Sequence, residues 1–154
     1  MVLILSLMVA LGTPAPDFTL PDVVTGKWVS LKDFKDKKAV LVMFICRHCP
    51  YVQHVKAELA RLGKDFKNKD VGIVAISSNN AESYPDDAPA SLKEMAVEEN
   101  FPFPLLYDET QKAARAYKAL CTPDFFLYAH SSSEAGSPLQ LAYRGQFDDS
   151  RPGN

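Results

Sequence analysis

At 154 residues, with 47% hydrophobic and 23% charged side chains, the chain has an ordinary globular composition and is long enough to bury one substantial core. A net charge of −2 with no basic stripe argues against nucleic acid or an anionic membrane as partner. Three cysteines are too few for a disulfide scaffold, and Cys46 and Cys49 lie too close for a loop-stapling bridge, which leaves redox chemistry or metal binding as their natural use.

Residues 1–11 are apolar, but no Lys or Arg precedes Lys27, and Pro14 and Pro16 cut the run short of the ~20 residues a membrane span needs. Residues 1–16 are therefore expected to form an N-terminal arm of a cytoplasmic protein, with secretion the weaker expectation. Residues 17–20 and 27–31, around Trp28, alternate across the turn signal Thr25-Gly26 and predict a small β-hairpin. A single helical turn over 31–34 follows. The unbroken apolar run 39–45 predicts a strand buried on both faces.

Directly after it come Cys46, Arg47, His48 and Cys49, then Pro50 and a helix carrying Val52, Val55, Leu59 and Leu62 at helical spacing. The helix is expected to end near Gly63 or Phe66, with Lys64, Lys67 and Lys69 solvated. Residues 71–78 predict a second buried strand, parallel to the first. Sites in such sheets form off the carboxyl ends of strands, so the polar loop 77–89 is expected beside the thiols, either as a rim including Asn79, Tyr84 and Asp86 or as a solvated connection. Beyond it the pattern predicts a helix over 89–99, an extended piece over 105–107, a helix over 110–120 capped by Thr110 or Asp108, and antiparallel strands over 125–129 and 139–143. The tail 145–154 lacks apolar periodicity and is expected to be extended or disordered.

Two thiols thus sit where a buried strand turns into a helix. The positive end of a helix favours an anion, and the cations Arg47 and His48 push the same way, so Cys46 is expected to be unusually acidic, within roughly 3.5–7.5 against about 8.5 for a free thiol. Cys46 becomes the attacking thiolate and Cys49, one turn on and more buried, the resolving thiol. Such stabilisation predicts a comparatively oxidising couple. A metal module built from Cys46, His48, Cys49 and His54 is the alternative by ligand type, although a tight turn disfavours His48 folding back beside its neighbours. Cys121 is expected to be either a third redox thiol or, more readily, a buried inert one.

The motifs GTPAPDFTLPD, MFICRHCPYV, SSNNAESYPDDAP, LLYDETQ, CTPDFF and YRGQFDDSRPGN together resemble the thioredoxin superfamily, and within it the redoxin, peroxiredoxin-like group related to AhpC/TSA. The resemblance covers nearly the whole chain. It implies a single α/β domain over 1–154, with a thioredoxin-like central mixed β-sheet, flanking helices and an N-terminal β-hairpin. Pro123 would be a cis-proline, with Thr122, facing the dithiol. The implied function is a thiol-disulfide oxidoreductase with no cofactor and no metal, taking a protein or small-molecule disulfide as substrate and an unidentified thiol as electron donor, with no membrane partner.

Three departures from that pattern stand out. The C-terminal helix expected of the fold is missing, which would leave an apolar sheet face favouring association into a homo-oligomer. Val40 occupies the place of thioredoxin's buried carboxylate and Ile45 that of the aromatic before the first cysteine, so deprotonation of Cys49 falls to His48, water or an unidentified group. Met43 and Ala39 occupy the hydroxyl and proline positions of the peroxidatic motif. A peroxidase with Cys46 as peroxidatic residue nevertheless stays an alternative, with Arg144 as a late guanidinium or simply an exposed strand-end arginine.

Overall fold

The computed structural model describes residues 9–134 and 136–153, so the apolar run 1–8 lies outside the described residues. Strands β1 (Thr19–Pro21) and β2 (Trp28–Ser30) pair antiparallel with Leu20 opposite Val29. Asp22 closes their turn by accepting from the Val24 amide (3.0 Å) and the Thr25 hydroxyl (2.9 Å), and Gly26 takes the positive φ of 73° that a side chain would resist. One 3₁₀ turn, Leu31–Phe34, leads into β3 (Ala39–Phe44).

That strand is the centre of a five-stranded mixed sheet with order β5-β4-β3-β6-β7. Strand β4 (Val71–Ser77) runs parallel to it and β5 (Leu105–Tyr107) parallel to β4, while β6 (Asp124–His130) pairs antiparallel with β3 and β7 (Leu139–Gly145) antiparallel with β6. Because side chains alternate along a strand, Val40, Val42 and Phe44 enter one core with Tyr117, Phe126 and Tyr128. Met43 and Ile45 enter the other with Val52, Leu59, Leu92 and Met95. Both faces are filled, which is why the run reads as continuously apolar; each such side chain contributes about 1.5–3 kcal/mol when fully buried.

Helix α1 (Pro50–Phe66) starts on a proline whose missing N–H costs nothing in the first turn, and it buries Val52, Val55, Leu59, Ala60 and Gly63. A Cβ on Gly63 would lie 2.5 Å from the Pro102 ring, so the helix closely approaches the segment before β5. Helix α2 (Pro89–Glu98) follows a 3₁₀ turn, Pro85–Asp87. Helix α3 spans only Lys112–Tyr117, shorter than the pattern predicts, because Gln111 (φ 62°) and Lys118 (φ 55°) take left-handed conformations at its two ends. Gln111 is its cap, although the Asp108 carboxylate does accept from the Ala114 amide (3.0 Å).

The N-terminal arm lies along β7 through Gly12 N–H to the Leu141 carbonyl and Leu141 N–H to the Thr13 carbonyl, both 2.8 Å. The tail after β7 is irregular yet packed. Phe147 meets the Phe125 ring (centroids 5.7 Å), and Ser150 Oγ lies 2.9 Å from His54 Nε2. Among the described residues no helix follows β7, and an apolar groove of about 390 Å³ lined by Leu41, Leu62, Phe66, Ile73, Leu127 and Tyr143 stays open on that face. No helix among the described residues is long and apolar enough to cross a membrane.

Candidate active site

Antiparallel pairing of β3 with β6 sets Phe44 opposite Asp124, so the end of one strand meets the start of the other. The corner 46–49 consequently faces the loop 121–123. Cys46 Sγ lies 3.2 Å from Thr122 Oγ1, and the Cys49 thiol donates to the Thr122 carbonyl at 3.3 Å. The Thr122–Pro123 peptide is cis. Exposure runs opposite to expectation: Cys46 is fully buried and Cys49 only half-buried, because helix α1 begins one turn later than the first thiol and Cys49 is its cap.

The electrostatics also reverse the expectation. The Cys46 thiol is pushed up to about 11, first by burial and then by the Asp87 charge, against the lowering pull of the Thr122 hydroxyl and the Cys49 amide. Asp87, fully buried, adds its charge to the effect of burial and works against the helix end. Its Oδ1 takes the amides of Arg47 (2.6 Å) and His48 (3.1 Å), the two residues before the helix cap. Its Oδ2 takes the His48 ring Nδ1 and Asn79 Nδ2, the latter at 2.9 Å. Burial alone would raise the Asp87 carboxyl; the hydrogen bonds from Asn79, His48 and the two amides outweigh it and hold the group below its ordinary value. Arg47 turns away toward α2, where it donates to the Ser91 carbonyl (2.9 Å) and pairs with Glu94 and Glu98.

Asn79 and Tyr84 of the candidate rim join this assembly, Tyr84 by stacking on the His48 ring (centroids 4.4 Å, planes 13° apart). Asp86 stays exposed and adds only to the negative field at Arg47. Asp87 is the residue that sequence reasoning missed. Its signal is an Asp pair behind Pro85, and nothing in that pattern distinguishes the member that the 3₁₀ turn points inward.

Donor atoms of Cys46, His48 and Asp87 all lie within 4.8 Å of one another, so His48 does fold back beside its neighbour, contrary to expectation. His54 instead bonds Ser150. Four protein donors already occupy the two Asp87 oxygens, a hydrogen-bonded arrangement rather than a set of vacant ligands. Cys121 is exposed, not buried, with its sulfur 3.9 Å from the Pro123 carbonyl; partial burial and Asp124 push its thiol up. Arg144 is no exposed strand end. Its side chain is 6% exposed, pairs with Asp124 at 3.1 Å and lies over the Phe126 ring.

Two grooves flank the 121–123 loop. One of about 300 Å³ is walled by Tyr51, His54, Pro123 and Phe147, and the other, of about 440 Å³, by His48, Tyr84, Arg115 and Lys118.

Compared with known families, residues 11–147 match the AhpC/TSA family. The chain belongs to the AhpC/TSA family. A Helicobacter pylori relative provisionally named peroxiredoxin bcp is 32% identical over 108 residues, 70% of this AhpC/TSA chain and 65% of its own length. The chain thus spans slightly less than two thirds of that relative. The crystal structure of an uncharacterized conserved protein from Geobacillus kaustophilus is 50% identical and superposes with a TM-score of 0.87, covering 96% of this chain and 74% of that one. The thioredoxin domain of a Bacteroides vulgatus thiol-disulfide oxidoreductase superposes with a TM-score of 0.67 at 24% identity, over 90% of this chain and 91% of that one; this likeness bears on the fold, which is thioredoxin-like.

Proposed function

We propose that this AhpC/TSA protein is a thiol-disulfide oxidoreductase whose redox couple is Cys46 and Cys49. The observation that carries the reading is the convergence of both sulfurs on Thr122, one on its hydroxyl and the other on its carbonyl. Cys46 loses its proton and attacks a substrate disulfide, and one substrate thiolate departs. Cys49 then attacks the Cys46 sulfur of the mixed disulfide and the second thiol leaves. Two electrons have passed to the substrate, and a thiol donor restores the Cys46–Cys49 pair.

A thiol held near 11 needs a base. His48 lies within 4.8 Å of the sulfur, and its ring is held by Asp87, a carboxylate whose charge opposes a lone thiolate. Proton transfer from Cys46 to His48 is therefore the step that Asp87 supports, by fixing the ring beside the sulfur. Cys46 has no exposed surface, so a substrate sulfur reaches it only when the corner or the 121–123 loop shifts. A poorly stabilised Cys46 thiolate disfavours the reduced form and makes the couple more reducing, the reverse of what the cations at 47 and 48 suggested.

The test measures insulin-disulfide reduction and hydrogen-peroxide consumption side by side for the parent, Cys46→Ser and Cys49→Ser. Exchange requires both cysteines, and Cys49→Ser should trap a mixed disulfide on Cys46; trapping by Cys46→Ser instead would reverse the two roles. A second reading, thiol peroxidase, is favoured by the Thr122 hydroxyl on Cys46, which can hold a peroxide oxygen, and by the peroxiredoxin name of the relative. It requires that Cys49→Ser keep consuming peroxide with an external thiol.

A further inference from the structure

We infer that the 440 Å³ groove beside His48 is a subsite for a carboxylate on a small disulfide or thiol, so that this protein prefers anionic low-molecular-weight disulfides over neutral or cationic ones. The inference rests on the exchange reading above and names its substrate class. The groove lies between the loop after β4 and helix α3, across the 121–123 loop from the groove walled by Tyr51 and Phe147. Its polar lining includes the cations Arg115 and Lys118 and the donors His48, Asn79, Gln111 and Thr122. No Asp or Glu lines it, and Asp87, bonded to His48 and Asn79, is fully buried.

Among the described residues neither Arg115 nor Lys118 forms an ion pair, although each is exposed. Both are held in place. Arg115 donates one guanidinium nitrogen to the Thr110 carbonyl (2.7 Å), leaving the rest of its fork available, and Lys118 sits in a left-handed conformation with its carbonyl bound by Arg144 (3.2 Å). Two uncompensated cations at the mouth of a groove attract an anion more strongly than either would on an open surface. The groove floor reaches Thr122, whose hydroxyl touches Cys46. A ligand with its acid on Arg115 and Lys118 therefore carries its disulfide toward the reacting sulfur, where one S–S bond breaks, the Cys46–S bond forms, and the displaced thiolate takes up a proton.

The experiment compares 3,3′-dithiodipropionate and cystamine as substrates under dithiothreitol recycling, each rate divided by that on neutral 2-hydroxyethyl disulfide. The parent should favour the dianion, and the advantage should shrink as salt is raised. In Arg115→Glu/Lys118→Glu the anion-to-cation ratio should fall by roughly tenfold. Lys64→Glu, on the far exposed face of α1, should leave it unchanged, and thermal melting confirms that each variant folds. A parent without anion preference, or a ratio unmoved by the double reversal, overturns the proposal. If no disulfide is reduced, the exchange reading falls. The groove is then read by calorimetric titration of Cys46→Ser with dithiodipropionate: heat lost in the charge-reversed protein supports it, and no heat overturns it.

Discussion

Asp87 reaches back 39 positions to hold His48 twice, by its backbone amide and by its ring. This places a buried carboxylate beside a buried thiol and raises the thiol while fixing the ring of its proton acceptor. The two effects predict opposite signs in one variant. In Asp87→Asn the Cys46 thiol should become more acidic, read as a lower midpoint in the pH dependence of iodoacetamide alkylation in a background lacking Cys49 and Cys121. Disulfide exchange should nevertheless slow, because the His48 ring loses the carboxylate that fixes it beside the sulfur. Loss of one well-bonded acceptor should also cost about 1–3 kcal/mol in urea denaturation. A variant that loses stability alone, with the alkylation midpoint unmoved, would show that Asp87 acts only as a structural clasp.

Thr122 contributes the hydroxyl that opposes the burial of Cys46. Thr122→Val keeps the shape and removes the bond, so the thiol should rise further and exchange should fall roughly 2- to 10-fold, matching a net hydrogen bond of about 0.5–1.5 kcal/mol. Thr122→Ser, which retains the oxygen, should restore both the alkylation midpoint and the rate. Failure of serine to rescue would assign the effect to packing.

Much of the fold was legible because its signals are local. The apolar run in β3 exceeds what a half-exposed strand would carry, and the thiols directly follow it, so the corner could be placed before any coordinates. The same holds for β4, whose run ends where the rim loop begins. What was not legible depends on elements that meet only in three dimensions. Arg47 and His48 read as cations beside a thiol, but their orientation is set by Glu94 and Asp87, which arrive from α2 and from a 3₁₀ turn. Arg144 read as a strand end because its partner Asp124 lies on another strand, brought near by the pairing of Phe126 with Arg144. Helix α3 was overestimated because Gln111 and Lys118, ordinary helix formers, adopt left-handed conformations that their side chains do not advertise.

The shifts of Asp87 and Cys46 also shape stability against pH. Asp87 lies below the usual carboxylate value, so its contribution is fully present above about pH 4 and is lost as pH falls through its folded value. Cys46 rises from 9.0 to about 11, so its neutral form is favoured by folding: stability is level below pH 9 and declines between 9 and 11. Tyr117 and Tyr128, also raised by burial, contribute their own decline starting above their ordinary value of 10.0. Cys121, also pushed up from 9.0, contributes a decline in the same range, so urea denaturation between pH 9 and 10 in a Cys121→Ser background isolates Cys46. Cys46→Ser should flatten that window, and a decline of unchanged steepness in the serine variant would contradict the assignment.

Arg144 and Asp124 form an ion pair with side-chain exposures of 6% and 5%, and Asp124 also accepts from the Leu120 amide at 3.1 Å. A pair this enclosed has already lost its water, so removing one partner strands the other charge. Arg144→Met should destabilise by about 3–5 kcal/mol, and Asp124→Asn, which keeps an acceptor for Leu120, by less. The double variant Arg144→Met/Asp124→Leu should recover much of the loss, since a well-packed apolar pair can replace a buried salt bridge at little net cost. The urea midpoints of the three variants form a double-mutant comparison once Asp124→Leu is added as the matching single change. Additive losses would mean that the two side chains do not depend on one another, and that Arg144 acts here through its packing over Phe126 rather than through Asp124.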